Sequence, residues 1–460
     1  MLDNLNRIHF VGIGGAGMSA IAKVLLAKGF AVSGSDIAKS ETIHRLQQLG
    51  ANIIIGHDAA NLDGAEAIVV STAIAGSNPE IAAAKAQGLP IYHRAEMVAA
   101  LMDERRGIAV AGAHGKTTTT SMIALMLEKT DLDPTIIIGG DIDYLNGNAK
   151  LGGGEWLVAE ADESDASFLK LNPEVAVVTN IENDHMDHYG TMDNILAAFT
   201  AFIGKLPADN GLAVLCFDNR YVCDIAPSCG RKYISYALDG KADYTAENIE
   251  TRGMTTTYLA CHHGRPLGPV VINVPGRHNV ANATAAIAVA HELGIGPDAI
   301  KAGLGSFGGV KRRFTHTGTW NGVEVFDDYG HHPVEIKAVL KAARDSSQGR
   351  VIAIAQPHRF TRLRDLFDDF SSCFNDADTV LLAPVYPAGE EPIEGIDSKA
   401  LVARIRSGGH RDARVLDGPS AIAPIIRDIA RPGDFVIFLG AGSITQWAYA
   451  LPLELAEKAA

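Results

Sequence analysis

Apolar residues along this chain gather into short runs, each ending in glycines or charged residues. Ile8-His9-Phe10-Val11 runs into Gly12, and Ile108-Ala109-Val110-Ala111 runs into Gly112. Val351–Ala355 and Phe435–Leu439 repeat the pattern in the last third. Short apolar runs bounded by breakers suit strands buried on both faces of a parallel sheet. Between them, Met18–Lys28 and Ala281–Leu293 carry helical spacing. Strand alternating with helix predicts α/β domains. The charged junction Met102–Gly107 and the glycine-rich, basic stretch Gly305–Arg313 are the candidate linkers, so the expected domains are 1–106, 107–312 and 313–460. Neither a solenoid-type repeat nor a low-complexity tract interrupts them.

The first run leads into Gly12-Ile13-Gly14-Gly15-Ala16-Gly17, a G-x-G-x-x-G turn between a strand and a helix. Glycines there let backbone amides approach a pyrophosphate at the helix start. A second apolar run, Phe30–Gly34, is followed by Asp36, placed where an acid takes a ribose hydroxyl. The pattern reads a diphosphate beside a nucleoside. NAD and a UDP-sugar satisfy it equally, and a ligand-free tight turn is the plain alternative.

The second run leads into Gly112-Ala113-His114-Gly115-Lys116-Thr117-Thr118. Amides of such a loop cradle phosphate oxygens, Lys116 can reach the β and γ phosphates, and the Thr117 hydroxyl can ligate Mg2+. Val110 stands where the usual pattern has its distant first glycine, so the common ATPase signature is only partly met. Downstream, Trp156–Ala159 reads as a strand ending in Glu160, Asp162 and Glu163. Glu160 is the expected magnesium-directed carboxylate, with a solvated acidic loop as its alternative. A further strand, Val175–Asn180, runs into Asn183-Asp184-His185-Met186-Asp187-His188. His185 sits where ligands gather in open α/β sheets, and the flanking carboxylates favour a cation or phosphate contact. His278, Asn279 and Asn282 precede or open an alanine-rich helix. The two amides share a face and suit an adenine edge, and helix capping by Asn279 suits it equally well.

Composition removes several classes. Hydrophobic residues make up 47% and charged residues 20%, as in ordinary globular proteins, not disordered ones. A formal charge of −14 argues against a nucleic-acid-binding surface. The five cysteines (216, 223, 229, 261 and 373) form no C-x-x-C pair, which fits a reducing compartment and no disulfide framework. No cleavable signal and no membrane-spanning run is evident, so a cytoplasmic enzyme without membrane insertion is expected.

The ordered set of motifs resembles the Mur ligases, the amide ligases of peptidoglycan precursors. The matching segments are 12–19, 112–120, Glu160–Asp165, Asn180–Tyr189, Gly276–Asn282, Asp327–Pro333 and Gln356–Arg362. The resemblance implies a Rossmann-like N-terminal domain for a UDP-sugar, a central P-loop ATPase and a Rossmann-like C-terminal domain that closes over them. It implies ATP and Mg2+ as cofactors, with two ions and with Mn2+ as a substitute. His331-His332 and Pro357-His358-Arg359 point to UDP-N-acetylmuramate and L-alanine as substrates. A tripeptide-adding recycling ligase and, in another class, an NAD-dependent oxidoreductase are the alternatives. By resemblance, Gly14, Gly15, Ala16, Gly17, Met18, Ser19, Asp36, Ser71, Thr72 and Ser164 meet the UDP-sugar. ATP falls to the 112–118 loop with His278, Asn279, Asn282 and Asp328, and the metal to Thr117, Glu160 and His185. Lys116, Glu160, His185, Arg313 and His331 are the expected catalytic set, with His331, His358, Arg359 and Arg362 for the amino acid. A monomer or weak homodimer is expected. Ala113, Gly330 and Ser443 stand where threonine, alanine and aspartate are frequent in the family. Phe199-Thr200 occupies the place where sister enzymes carry a carbamylated lysine, so that modification is not expected.

Overall fold

Apolar runs in the first hundred residues assemble into one parallel sheet. Its strands are β1 (Arg7–Val11), β2 (Ala31–Asp36), β3 (Asn52–Ile55), β4 (Ala67–Val70) and β5 (Ile91–His93), in the order β3-β2-β1-β4-β5. Phe10 and Val11 of the central β1 have no exposed surface, as strands covered on both faces require. This is the Rossmann strand order, with its switch point between β1 and β4, and ligands bind outside the carboxyl ends of the strands there. The computed structural model describes residues 2–457.

A second sheet follows, of ten strands: β6 (Arg106–Ala111), β7 (Thr135–Ile142), β8 (Gly147–Lys150), β9 (Trp156–Glu160), β10 (Val175–Val178), β11 (Leu212–Cys216), β12 (Tyr233–Ala237), β13 (Tyr244–Arg252), β14 (Thr255–His262) and β15 (Arg265–Ile272). The order is β15-β14-β13-β12-β11-β10-β6-β9-β7-β8. β6 lies between β10 and β9 and is parallel to both, so the loops leaving β6, β9 and β10 emerge on one edge. A third sheet comprises β16 (Thr315–Trp320), β17 (Val323–Asp328), β18 (Val351–Ala355), β19 (Thr379–Leu382), β20 (Ala413–Val415) and β21 (Phe435–Leu439), ordered β16-β17-β21-β18-β19-β20. Only its edge strand β16 is antiparallel to its neighbour. It is Rossmann-like in its layers, while its strand order is its own, because the last strand inserts between β17 and β18.

Two compact units result. Unit 1 comprises residues 1–248, 258–270 and 280–308, and unit 2 comprises 249–257, 271–279 and 309–460. Within unit 1 the first two sheets are bonded directly. Asn148 of β8 donates to the Ala16 carbonyl (2.7 Å) and to Ser19 Oγ (3.0 Å), and Arg45 meets Asp141 at 2.6 Å. Among the described residues, no helix is long and apolar enough to cross a membrane.

Beneath the loop after β9, the Phe168 ring stacks on Phe202 at 4.9 Å and meets Phe199 edge-on at 5.1 Å, all essentially without exposure. Phe168→Ala is expected to destabilise unit 1 by about 3–5 kcal/mol, seen as a lower denaturation midpoint. A change under about 1 kcal/mol would show that the ring cluster does not support this loop.

Candidate active site

The first glycine turn is built almost wholly from its own backbone. Gly12 and Ile13 donate to the Ser35 carbonyl at 2.9 and 3.0 Å, and Gly15 donates to the Gly12 carbonyl. The Gly14 amide donates to Asp36 Oδ2 at 2.8 Å. A Cβ on Gly14 would lie 2.8 Å from that oxygen, which is why glycine stands there. Gly15 then N-caps the helix Ala16–Ala27 with no side-chain cap. The turn thus engages the amides of residues 12–15, and those of Ala16, Gly17 and Met18 open the helix, where an anion is favoured. Asp36 also accepts from Ile37 (2.8 Å), so a ribose would share its remaining lone pairs. Met18 and Ser19 are buried, and Ser19 Oγ donates to the Ala16 carbonyl. Ser71 and Thr72 follow β4 at the switch point.

The second turn is braced from two sides. Ala113 donates to the Asn180 carbonyl, and His114 donates to Asn180 Oδ1 at 2.8 Å. Thr179 Oγ1 and Asn180 Nδ2 return bonds to the His114 carbonyl. Gly112 has φ +135°, and a Cβ there would collide with Thr179 Oγ1. Gly115, at φ +83°, caps the helix Lys116–Glu128 against Asn282, whose Oδ1 also accepts from Thr119 at 3.2 Å. Thr118 is buried in that helix's first turn. Lys116 Nζ donates to the Gly112 carbonyl (2.5 Å) and pairs with Glu163 (2.8 Å). Burial opposes its charge, but Glu163, Asp162 and Glu160 outweigh that and hold the ammonium above its ordinary value. Thr117 Oγ1 donates to Glu160 at 3.1 Å, and the other oxygen of Glu160 accepts from Gly139. A hydroxyl and a carboxylate therefore lie side by side.

The two turns meet through the acids after β9. Asp162 pairs with Arg94, and Arg94 in turn lies 3.2 Å from where a Cβ on Gly17 would stand. Burial works against the Asp162 charge, yet Arg94 and Lys116 hold its carboxyl down at about 2. Asp162 also accepts from the Ser164 amide at 2.9 Å. His185 adopts φ +57°, with its ring 3.8 Å from Glu163 and 3.6 Å from Asp184. The side chain of Asp187 lies outside the described residues. Tyr189 donates to the Glu163 carbonyl at 2.5 Å.

Unit 2 holds its own polar group. Asp328, at the end of β17, accepts from Phe314 (2.8 Å) and Gly330 (2.7 Å). Burial pushes its carboxyl up to about 6. Arg313 approaches Glu335 at 3.5 Å and the Tyr329 ring at 5.3 Å. His331 Nδ1 lies 3.0 Å from the Tyr329 carbonyl, which can only accept, so Nδ1 carries the proton and Nε2 is the open acceptor. His332 caps the following helix in a box with Glu335. His358 stacks on Tyr386 at 5.3 Å and faces the His331 ring at 5.9 Å, and Arg362 donates to the His358 carbonyl. Arg359, at φ +71°, is fixed by donating to the Tyr386 carbonyl. Burial, then Arg313, depresses His278 to about 4. Capping by Asn279 is corrected. Its helix begins at Arg277, four residues before the run that marked it, so Asn279 lies inside the first turn and donates to the Pro275 carbonyl at 2.7 Å.

Sequence reasoning passed over Arg94, Asp162, Glu163, Asn180 and Tyr386 as site residues. The acid run after β9 did signal Asp162 and Glu163, but nothing local marks Arg94 as their partner.

Known proteins carry the same layout. Residues 7–106 match the Mur ligase family catalytic domain, 110–290 the Mur ligase middle domain and 312–442 the Mur ligase glutamate ligase domain. A UDP-N-acetylmuramate–L-alanine ligase of Mesorhizobium japonicum is 57% identical over 463 residues, covering 99% of both chains. The chain belongs to the Mur ligase family. Among solved structures, the UDP-N-acetylmuramate–alanine ligase of Thermotoga maritima superposes with a TM-score of 0.84 at 28% identity, over 99% of this Mur ligase and 100% of that chain. A murein peptide ligase of Psychrobacter arcticus gives 0.71 at 26% identity, over 98% of each.

Burial holds both His278 and His358 at about 4, against an ordinary 6.5. The unfolded chain binds these protons first on acidification. Their contribution to stability is therefore full above pH 6.5 and lost as the pH falls to about 4. Asp328 acts in the opposite sense, so the test is a comparison between proteins. The thermal midpoint is expected to fall less steeply across this window in His278→Gln than in the parent. Equal slopes would contradict the assignment.

Proposed function

We propose that this Mur ligase joins L-alanine to the carboxylate of UDP-N-acetylmuramate at the expense of ATP, an amino-acid addition in peptidoglycan precursor synthesis. The observation that carries this reading is the link between two anion-binding turns in one unit, through Arg94–Asp162 on one side and Lys116–Glu163 on the other. A nucleotide-sugar diphosphate and a triphosphate each need such a turn. An NAD-dependent oxidoreductase would need only the first. The working boundaries are 1–106 for the UDP-sugar part, 107–312 for the ATP part and 313–460 for the amino-acid part. A cytoplasmic location follows from the need for ATP and a nucleotide sugar.

A carboxylate repels an amine's lone pair and has a poor leaving group. Attack of the muramate carboxylate on the γ-phosphate gives an acyl phosphate and ADP. The L-alanine amine then adds to the acyl carbon, and phosphate leaves from the tetrahedral intermediate. Such chemistry asks the protein for positioning and charge neutralisation. Ala16, Gly17 and Met18 offer amides to the UDP diphosphate, with Asp36 for the ribose and Ser71, Thr72 and Ser164 around the sugar. Lys116 leaves the carbonyls it now bonds and meets the β and γ phosphates. Arg313 neutralises the transferring phosphoryl group. His278, Asn279, Asn282 and Asp328 serve the rest of the nucleotide. Arg359 and Arg362 take the amino-acid carboxylate, for which a planar guanidinium fork is suited. His331, neutral because burial lowers its proton affinity, presents Nε2 as the acceptor for an ammonium proton.

Magnesium fits the donors present. Thr117, Glu160 and His185 supply a hydroxyl, a carboxylate and an imidazole, and Glu163 Oε2 is buried without a hydrogen-bond partner beside them. Donors of these types suit Mg2+ or Mn2+, and a pair of ions is part of this reading. Bound there, the ion would neutralise triphosphate charge.

The test is release of ADP and phosphate with UDP-N-acetylmuramate, comparing L-alanine with glycine, D-glutamate and a murein tripeptide. L-Alanine is expected to be best, with turnover lost on chelation of divalent cations. Preference for the tripeptide would assign the recycling reaction instead. Glu163→Gln, which removes the countercharge of Lys116 at constant size, is expected to lower kcat roughly 100-fold. A kcat within about twofold of the parent would remove Lys116–Glu163 from the mechanism.

A further inference from the structure

Glu80 carries a carboxylate with no exposed surface in the N-terminal sheet, and the mechanism above leaves it unused. It lies in the first turn of the helix Pro79–Gln87, where its own amide donates to the capping Asn78 side chain at 2.9 Å. A buried charge persists only where donors converge on it. Here Ser35 Oγ donates to Oε2 at 2.7 Å, and Asn61 Nδ2 donates to Oε1 at 2.5 Å. His57 Nδ1 lies 3.3 Å away and His9 Nε2 3.7 Å away. Burial opposes the charge, but His9, Ser35 and Asn61 outweigh it and hold the carboxyl at about 2. One acceptor thus gathers β1, β2, the segment after β3 and the helix at 79–87.

Ser35 gives this network its consequence. Its hydroxyl faces Glu80 and also lies 3.0 Å from His57 Nδ1, while its carbonyl receives the amides of both Gly12 and Ile13. The next residue, Asp36, receives the amide of Gly14, and its carbonyl receives the amide of Gly56, directly before His57. Three consecutive amides of the glycine turn therefore hang on residues 35 and 36, and residue 35 is held by Glu80. Both oxygens accept here, one from the Ser35 hydroxyl and the other from the Asn61 amide. A glutamine would reverse the Ser35 bond if its NH2 faced Ser35, or set that NH2 against a donor if it faced Asn61.

We propose that Glu80 is a positioning residue for the diphosphate turn: by fixing Ser35 from below, it sets the anchors of Gly12–Gly14 and hence the direction of the amides that open the next helix. The inference rests on the reading of that turn as the UDP-sugar site. A displacement of a few tenths of an ångström at the turn would weaken nucleotide-sugar binding and leave the ATP turn, on the second sheet, as it is.

The experiment measures steady-state constants of the full chain carrying Glu80→Gln, with circular dichroism and thermal melting as controls for folding. KM for UDP-N-acetylmuramate is expected to rise about 10–100-fold, with kcat at saturation and KM for ATP within about threefold. Ser35→Ala, which loses the hydroxyl and keeps the carbonyl, is expected to move the same constant in the same direction, and it carries the test if Glu80→Gln does not fold. A folded variant with unchanged KM for the nucleotide sugar, or an equal loss in both substrates' constants, would overturn the positioning role. The parent's activity is a separate control. If the parent itself does not turn over UDP-N-acetylmuramate, the functional reading fails. The positioning claim is then judged by UDP binding in titration calorimetry, where parent and Glu80→Gln of equal affinity would overturn it and a weaker variant would support it.

Discussion

Two adjacent carboxylates after β9 form the constraint on which unit 1 depends. Asp162 reaches Arg94 at the start of the helix after β5, and Glu163 reaches Lys116 at the start of the helix after β6. Lys116 directly follows the second glycine turn, Arg94 lies against Gly17 of the first, and the two acids are neighbours in sequence. Separating Lys116 from the buried Glu163 leaves a shielded carboxylate unpaired, which costs about 3–5 kcal/mol in a buried setting, while the partly exposed Arg94–Asp162 pair contributes less. Electrostatics at this point join the Asn148 and Arg45 contacts in setting the geometry between the turns, and the parallel pairing of β6 with β9 and β10 brings the acids to the edge where the loops emerge.

A consistent division of labour follows. Turn amides in residues 12–15 and 113–114 are engaged internally, which stiffens the loops, while the starts of the two helices carry no side-chain caps. Uncapped helix starts are costly in isolation and are what an incoming oxyanion satisfies. Unit 2 uses burial in another way. It keeps His278, His331 and His358 uncharged and sets Arg313, Arg359 and Arg362 as its fixed cations, so an anion meets permanent charge and a proton meets a neutral ring.

Much of this was legible in the residues. The apolar runs ending at Val11, Ala111, Ala355 and Leu439 are strands of the three sheets, because strands buried on both faces need unbroken apolar sequence. Gly14, Gly112 and Gly115 stand where a Cβ would collide, so the glycine patterns report real crowding. Other features had no local signature. Arg94 and Asp162 lie 68 residues apart, and only the folded sheets bring them together. The insertion of β21 beside β17 depends on tertiary pairing that no periodicity encodes. The helix at Arg277 began early because Gly276, at φ +95°, breaks the chain just before it, and the polar residues of its first turn hid the helical pattern. Glu160, expected to be directed at the metal, lies beside the Thr117 hydroxyl, while the part of Glu163 as the partner of Lys116 had no signal in the sequence.

The central claim is that one acidic turn serves both nucleotide sites, and it is tested most directly by titration calorimetry on Asp162→Asn. Affinity for UDP-N-acetylmuramate and affinity for ADP are each measured against the parent protein, with the fold checked by melting. The account predicts that both weaken, the first because Arg94 loses its partner and the second because Lys116 loses a neighbouring charge. A folded variant in which only one affinity changes, or neither, would contradict it.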